Sequence, residues 1–298
     1  MTCLVRRMIA RRGKSKGKLA NSFVWNAEMK QGSRAAGGIC NDLPPAMKYC
    51  SLSTTLLLLT SVGPHSLYGD EMPRAEEPRI PKIFEAAVPA KCLQVVLVLS
   101  PKERSIPARL WLLERASAVE QWKSAAGPVA VTLGRNGLAW GVGEHSGEQP
   151  EGVRTKREGD GCSPAGVFRM PFAFGYAPES ETSNVKIPYR AVTKTVFAID
   201  DSQSRFYNQV VDTNTVTKDW RTAEIMLRDD ILYRWGVYVA HNPHNRAFRG
   251  SCISLHIWRG PGAPTAGCTA MAEEEMVRVM TWLDPAKEPL LVQGLEDW

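Results

Sequence analysis

The amino-acid sequence predicts a mainly β, β-sandwich-like domain over residues 92–295, with one helix close to its end. Short apolar segments follow one another from residue 93 onward, and several alternate with the two-residue period of half-buried strands. Residues 272–283 have apolar side chains at helical spacing instead. Many short strands with a single late helix are typical of sandwich architectures.

The predicted strands are short and separated by polar or glycine-rich loops. In chain order they are Leu93–Ser100, Ala108–Glu114, Pro128–Leu133, Leu138–Val142, 164–175, Trp235–His241, Ile253–Trp258 and Leu290–Gln293. Between the third and fourth, Asn136-Gly137 supplies the positive φ of a tight turn and predicts a hairpin. Residues 177–230 are polar with scattered aromatics, which indicates short strands joined by functional loops.

The late helix has both end signals and one apolar face. Glu273, Glu274 and Glu275 suit the positive end of its dipole, and Asp284-Pro285 ends it. The face predicted to be buried consists of Met276, Val279, Met280 and Leu283.

The net charge of +6 is concentrated near the N-terminus. Residues 1–46 hold 9 of the 37 Lys and Arg residues but only 2 of the 31 Asp and Glu residues. The remaining chain therefore carries 28 basic and 29 acidic residues and is nearly neutral. A nucleic-acid partner, which requires a basic surface, is not expected for the folded part.

Residues 47–69 have the layout of a secretory signal peptide. Met47 and Lys48 precede the apolar run Leu52–Val62, and small residues follow before Asp70. The run is too short to span a membrane as a stable helix, so no transmembrane domain is expected once it is removed. We therefore expect secretion across the inner membrane, to the periplasm or cell wall.

The segments on either side of this signal are expected to lie outside the folded domain. If translation starts at Met47, residues 1–46 are an extension of the gene model; a presequence or a disordered basic tail are the alternatives. Residues 70–91 are rich in Pro and Glu and predict a linker.

The residues that carry chemistry lie between 250 and 271. If Ile253–Trp258 is a strand, its apolar residues share one face, and Cys252, Ser254, His256 and Trp258 share the other. His256 is then presented on the polar side. A Gly- and Pro-rich loop, Arg259–Pro264, returns the chain so that Cys268 lies beside the end of this strand.

A thiol beside an imidazole is a typical nucleophile and base. Gly267 would let the backbone pass close to a substrate carbonyl, and the amides of Gly267 and Cys268 would form an oxyanion hole. The imidazole of His256 and the following helix N-terminus are expected to lower the pKa of the thiol. From spacing alone, a buried structural Cys with a His satisfied in a loop is the favoured interpretation.

The same segment resembles the catalytic signature of L,D-transpeptidases (the YkuD domain), in which a strand His precedes a Ser/Thr-x-Gly-Cys turn. His256 and Thr265-Ala266-Gly267-Cys268 match that pattern. Gly159–Phe168 is similar to the family's (T/S)-P-x-G-x-(F/Y) element. Ala266 and Ala270 replace the His and the Arg or Asn of many members, so the chain looks like a divergent branch. The resemblance covers about residues 92–295.

This resemblance implies a cysteine acyltransferase that acts on peptidoglycan stem peptides in cell-wall biogenesis. Cys268 would form a thioester with loss of D-Ala, and His256 would serve as the base. The other ring nitrogen of His256 is expected to bond to a backbone carbonyl. An amine from a second stem would then complete a 3→3 cross-link. Water in place of that amine would make the enzyme an L,D-carboxypeptidase. No cofactor is expected, and the oligomeric state stays open.

Further candidates for substrate binding lie outside the signature. His241 and Arg249 are candidates for binding stem carboxylates, and Thr265 adjoins the nucleophile. A polar segment that would line the cleft contains Arg205, Tyr207 and Asn208. Solvent-exposed loop positions are the alternative for His241 and Arg249.

Two other classes of protein remain open from the sequence. A zinc site has enough possible ligands in His241, His244, His256, Cys252 and Cys268. Pro243 and the absence of a Cys-x-x-Cys pair argue against it. The second class is a catalytically inactive wall-binding module built on the same fold.

Overall fold

A computed structural model describes residues 78–145 and 148–298 of the chain. All of these residues belong to the unit Gly69–Trp298. The predicted extension 1–46, the predicted signal peptide 47–69 and the first part of the predicted linker lie outside the described residues.

Strands dominate the described part of the chain, which confirms the mainly β class. The strands are β1 (Gln94–Ser100), β2 (Pro107–Glu114), β3 (Lys123–Thr132), β4 (Leu138–Trp140), β5 (Ser163–Arg169), β6 (Ala173–Gly175), β7 (Tyr189–Ala191), β8 (Val196–Ala198), β9 (Val210–Asp212), β10 (Glu224–Ile225), β11 (Gly236–Tyr238), β12 (Ser254–Ile257), β13 (Thr269–Met271) and β14 (Leu290–Leu295). The helices are α1 (Lys82–Glu85) and α2 (Glu273–Trp282), with 3₁₀ turns at Glu179–Glu181 and Pro285–Lys287. Neither α-helix has the length and apolarity needed to cross a membrane.

Eleven of the described strands form one large mixed sheet in the order β4-β5-β14-β1-β2-β3-β13-β12-β11-β6-β7. Its pairs are antiparallel except β1 with β14, β4 with β5, β6 with β7 and β12 with β13. A separate three-stranded sheet has the order β10-β8-β9 and is called the small sheet below. The residues after β8 and in β10 contribute to the cleft described in the next section.

The central strand β1 explains why its sequence is a continuous apolar run. Val96 and Val98 point into one core, which also contains the apolar face of α2. Val95 and Leu97 point into a second core on the other side. Because alternate side chains of a strand face opposite ways, a strand buried on both faces loses the polar alternation.

The hairpin predicted around Asn136-Gly137 is wrong. The turn itself forms, with Gly137 at φ 77° and its amide donating to the Gly134 carbonyl at 2.8 Å. The strands on either side pair elsewhere, β3 with β2 and β13, and β4 with β5. Competing partners distant in sequence therefore override the local hairpin signal.

The predicted late helix is confirmed as α2. Met276, Val279, Met280 and Leu283 are all buried, as their spacing indicated. Glu273 at its first turn also pairs with Arg234 at 2.8 Å. This helix covers β11 and β12 and so supports the strand that carries His256.

Residues 78–91 differ from the predicted linker, because they pack against the domain. Phe84 of α1 is fully buried, and its ring lies 5.5 Å from that of Trp140 and 6.0 Å from that of Trp298. Ile80 joins the same core. The segment is rich in Pro and Glu, but its two buried apolar residues, Ile80 and Phe84, attach it to the domain. Composition alone does not distinguish such a segment from a linker.

Candidate active site

Strand β12 presents His256 as its alternation predicts. Ile253, Leu255 and Ile257 belong to the main core. His256 lies on the other face of the strand and lines a cleft of about 690 Å³. The strand is fixed on one side by β11, where Gly236 faces His256, and on the other by β13.

The turn before β13 holds Cys268 by its carbonyl. The Thr265 hydroxyl donates to the Cys268 carbonyl at 2.6 Å, and the Ser163 hydroxyl donates to the same oxygen at 2.9 Å. Gly267 passes so close to Cys162 that a Cβ there would lie 3.0 Å from the Cys162 carbonyl oxygen. The predicted close approach at Gly267 is therefore to the protein's own backbone.

Cys268 and His256 occupy the same cleft. The parallel pairing of Leu255 with Thr269 and of His256 with Ala270 places Cys268 beside Ser254, one diagonal step from His256. Ser254 and His256 are two residues apart on β12 and therefore share a face, and Cys268 lies beside Ser254. The side chains of Cys268 and His256 therefore both point to the cleft side. The Cys268 sulfur lies 3.5 Å from the Ser254 hydroxyl and 3.7 Å from the Cys252 carbonyl oxygen.

The imidazole of His256 is held in one tautomer. Its Nδ1 lies 2.7 Å from the Ile257 carbonyl oxygen, and because a carbonyl only accepts, Nδ1 carries the proton. This confirms the expected backbone partner and leaves Nε2 as the basic nitrogen. The Tyr233 ring packs edge-on against the imidazole, with centroids 5.2 Å apart, and restrains its rotation.

The expected lowering of the thiol pKa is wrong for this structure. Burial raises the pKa of Cys268 to about 11, and the negative charge of Glu224 adds to that rise. Helix α2 begins only at Glu273, too far along the chain for its first turn to stabilise a thiolate at Cys268. Burial also lowers the pKa of His256 to about 4. The resting site therefore holds a neutral thiol and a neutral imidazole.

The oxyanion role predicted for the Gly267 amide is not supported. This amide donates to the Thr265 hydroxyl oxygen at 3.1 Å, within the turn itself. Thr265 thus bonds both the Gly267 amide and the Cys268 carbonyl. Thr265 lines the cleft, but its hydroxyl is engaged in shaping the turn, so its predicted role in substrate binding stays a prediction.

His241 is not among the residues that line the cleft. It is buried, its Nδ1 accepts from the Val142 amide at 3.3 Å, and its Nε2 donates to the Arg249 carbonyl at 2.9 Å. Burial lowers its pKa to about 4, so the ring is neutral. Neither nitrogen is free to bind a carboxylate, and Arg249, whose side chain is exposed, also lies outside the cleft lining.

The three residues predicted to line the cleft from the polar segment, Arg205, Tyr207 and Asn208, are not among its lining residues. Arg205 is exposed and pairs with Asp219 at 3.5 Å. The buried Tyr207 donates to Glu158, whose carboxylate lines the cleft. Asn208 supports the backbone near Cys252, which lines the cleft: its side-chain oxygen accepts from the Cys252 amide at 2.9 Å, and its nitrogen donates to the His241 carbonyl at 2.9 Å.

Several residues of the cleft were not predicted from the sequence. The most notable are Lys156, Asp200, Glu224, Arg228 and Tyr233. Four of these five lie in segments without clear periodicity, and nothing in the sequence brings them next to Cys268. Ser254 was detectable, because it shares the polar face of the His256 strand.

The geometry also disfavours the zinc alternative. Both ring nitrogens of His241 bond to backbone groups, and Nδ1 of His256 bonds to the Ile257 carbonyl. Within residues 78–145 and 148–298, no group of three or more His, Cys, Asp or Glu residues is arranged to hold a metal ion.

No protein-family model, curated protein or solved structure matches this chain at a significant level.

Proposed function

We propose that this chain is a secreted cysteine acyltransferase of the L,D-transpeptidase type, with Cys268 as nucleophile and His256 as base. The observation that carries the proposal is the placement of both side chains in one cleft, with His256 Nδ1 fixed on the Ile257 carbonyl. That bond directs the basic Nε2 away from the backbone. The large mixed sheet is proposed to be a β-sandwich-like L,D-transpeptidase catalytic domain.

The proposed reaction begins from the neutral pair. As the sulfur of Cys268 attacks the substrate carbonyl, its proton passes to Nε2 of His256. The tetrahedral intermediate collapses, the bond to D-Ala breaks, and the leaving amine takes the proton from His256. A thioester on Cys268 remains. A side-chain amine of a second stem then attacks the thioester and gives one proton to His256. The carbon–sulfur bond breaks, and the Cys268 sulfur takes that proton back from His256 to restore the neutral thiol.

The raised thiol pKa shapes this mechanism. With a Cys268 pKa of about 11 and a His256 pKa of about 4, a resting thiolate–imidazolium pair is disfavoured. Proton transfer is then concerted with, or follows, substrate binding. The same raised pKa is what an inactive wall-binding module would have, so activity has to be measured directly.

The test uses a stem tetrapeptide that ends in D-Ala, incubated with residues 70–298. Mass spectrometry of the products separates the two acyl acceptors: a dimer that has lost one D-Ala indicates transpeptidation, and a tripeptide indicates carboxypeptidase action. Cys268→Ala is the inactive control. Cys252→Ala is the matched control, because Cys252 lines the same cleft. Absence of both products from folded protein would favour the inactive module.

A further inference from the structure

Ser254 contacts the sulfur of Cys268 with two donors to which the proposed reaction gives no role. Its hydroxyl oxygen lies 3.5 Å from the sulfur, and both side chains are buried. Its main-chain amide also donates to the sulfur. These contacts arise from strand register, because the pairing of Leu255 with Thr269 places Ser254 beside Cys268.

The thiol proton is directed at a different group, the main-chain carbonyl of Cys252, whose oxygen lies 3.7 Å from the sulfur. A carbonyl only accepts, so the thiol donates to it, and the Ser254 hydroxyl is left to donate to the sulfur. Cys252 presents this carbonyl from a left-handed backbone conformation, with φ 55°. The Asn208 side chain supports that conformation by accepting from the Cys252 amide at 2.9 Å. In the resting site the sulfur is therefore an acceptor for Ser254.

Within residues 78–145 and 148–298, the hydroxyl of Ser254 has one hydrogen-bond partner, the Cys268 sulfur. Ser251, three residues earlier, differs in this respect. Its hydroxyl donates to the Glu158 carboxylate at 2.8 Å, although Ser251 lines the same cleft as Cys268. The buried Ser254 hydroxyl is thus committed to the thiol, and Ser251 provides a nearby hydroxyl that is not.

A buried sulfur needs hydrogen-bond donors when it loses its proton. Burial and then the charge of Glu224 raise the pKa of Cys268, and the next largest effects, the two Ser254 donors, lower it. A hydrogen bond to a charged acceptor is about twice as strong as one to a neutral acceptor. The Ser254 bonds therefore strengthen when the thiol proton passes to His256, at the step in which negative charge develops on the sulfur.

We propose that Ser254 is a catalytic residue, whose hydroxyl and main-chain amide stabilise the negative charge on the Cys268 sulfur while the thiol proton moves to Nε2 of His256. The inference deepens the proposed acyl transfer, on which it rests for the reaction that is served. In this step the S–H bond turns from the Cys252 carbonyl to Nε2 and breaks, the proton bonds to Nε2, and the electron pair stays on the sulfur. That pair then forms the bond to the substrate carbonyl carbon. The Ser254 proton stays on its own oxygen throughout.

The primary test measures the Cys268 thiolate without requiring acyl transfer. Iodoacetamide alkylates a thiolate: the thiol proton goes to solvent, the sulfur bonds to the methylene carbon, and iodide leaves. Rates at several pH values are read from the mass of the peptide that contains Cys268. The variants are Ser254→Ala, which removes the hydroxyl, and Ser254→Thr, which keeps it. Ser251→Ala is the matched control, and a thermal melt checks that each variant folds.

Ser254→Ala is expected to slow alkylation by about tenfold at each pH, because loss of a hydrogen bond to the charged form disfavours the thiolate. Ala is smaller than Ser, so reduced access to the sulfur does not explain a slower reaction. Ser254→Thr and Ser251→Ala are expected to stay within about threefold of the native rate, since neither removes a donor to the sulfur. A native or faster rate in folded Ser254→Ala overturns the inference, and so does an equal slowing in Ser251→Ala.

The second arm measures kcat and KM for the stem tetrapeptide. Ser254→Ala is expected to lower kcat by about tenfold and to leave KM within about twofold, because the sulfur gains charge only after the substrate has bound. Slower alkylation of Ser254→Ala, without turnover by the native protein, supports the Ser254 hydrogen bonds and contradicts the acyl transfer. Turnover by the native protein, with unchanged alkylation of Ser254→Ala, contradicts the role of Ser254 and supports the acyl transfer.

Discussion

The two walls of the cleft differ in how clearly the sequence predicts them. The wall from the large sheet carries His256 on β12 and Cys268 directly before β13, the strand that pairs with β12 in parallel. The wall that includes the small sheet carries Asp200 and Glu224 near short strands of two or three residues. The first wall is proposed to perform the chemistry. The difference teaches that long-range strand pairing positions Cys268 and His256 together, whereas the second wall depends on strands too short to be recognised in the sequence.

The largest effect is expected from Cys268→Ala. Loss of the proposed nucleophile should reduce kcat/KM for the tetrapeptide by about 10³-fold or more. Removal of one buried sulfur should lower the unfolding free energy by only about 1–2 kcal/mol. Cys252→Ala, in the same cleft, should retain most of the activity. If the two variants lose activity equally, the assignment of chemistry to the large-sheet wall is wrong.

A fall in stability with acid is expected next. His256 and His241 both have folded pKa values of about 4, below the usual value of 6.5, because burial disfavours their charged forms. Their contribution is fully present above about pH 6.5 and is lost as pH falls towards 4, by about 3 kcal/mol for each. Urea unfolding at pH 7 and pH 5 measures this change. Stability that rises on acidification in this window would contradict neutral, buried imidazoles.

The stability of the turn Thr265–Cys268 is expected to depend on the Thr265 hydroxyl. Thr265→Val keeps the shape but removes the donor to Cys268 and the acceptor for Gly267. We expect a loss of about 1–3 kcal/mol in unfolding free energy, and a larger fall in kcat than in substrate affinity. Thr265→Ser, which keeps the hydroxyl, should restore most of both. Equal behaviour of the Ser and Val variants would show that the hydroxyl does not hold the turn.

The smallest effect is expected at Tyr233, which contacts both walls. Tyr233→Phe keeps the ring against His256 but removes the donor to Glu224. Stability should fall by about 1 kcal/mol, and kcat/KM by less than tenfold. Tyr233→Ala, which also releases the imidazole, should lower kcat/KM further. Equal activities for the two variants would mean that the ring does not restrain His256.

The large-sheet wall was largely predictable from the sequence. The apolar alternation of residues 253–257 placed His256 on the polar face, and the apolar spacing of α2 placed the helix behind it. Both patterns are local, and burial of one face makes them visible in sequence. Three predictions for this wall are confirmed: strand β12, helix α2 and a backbone carbonyl as the partner of His256.

The small-sheet wall was not predictable, for a physical reason. Asp200 and Glu224 become neighbours only through pairing of β8 with β10, whose strands are too short to show a period. The failed hairpin at Gly137 has the same origin, because β3 and β4 take partners distant in sequence. The raised pKa of the Cys268 thiol could not be predicted from the sequence either. Its causes are the burial of Cys268 and the charge of Glu224, and both depend on the folded structure.

The most direct test of the central claim is the intact mass of residues 70–298 after incubation with a carbapenem, a cyclic amide that acylates an activated nucleophile. The account predicts one covalent adduct, located on Cys268, retained in Cys252→Ala and absent in Cys268→Ala. An adduct that persists in Cys268→Ala, or no adduct on folded native protein, would contradict Cys268 as the nucleophile of an acyl-transfer site.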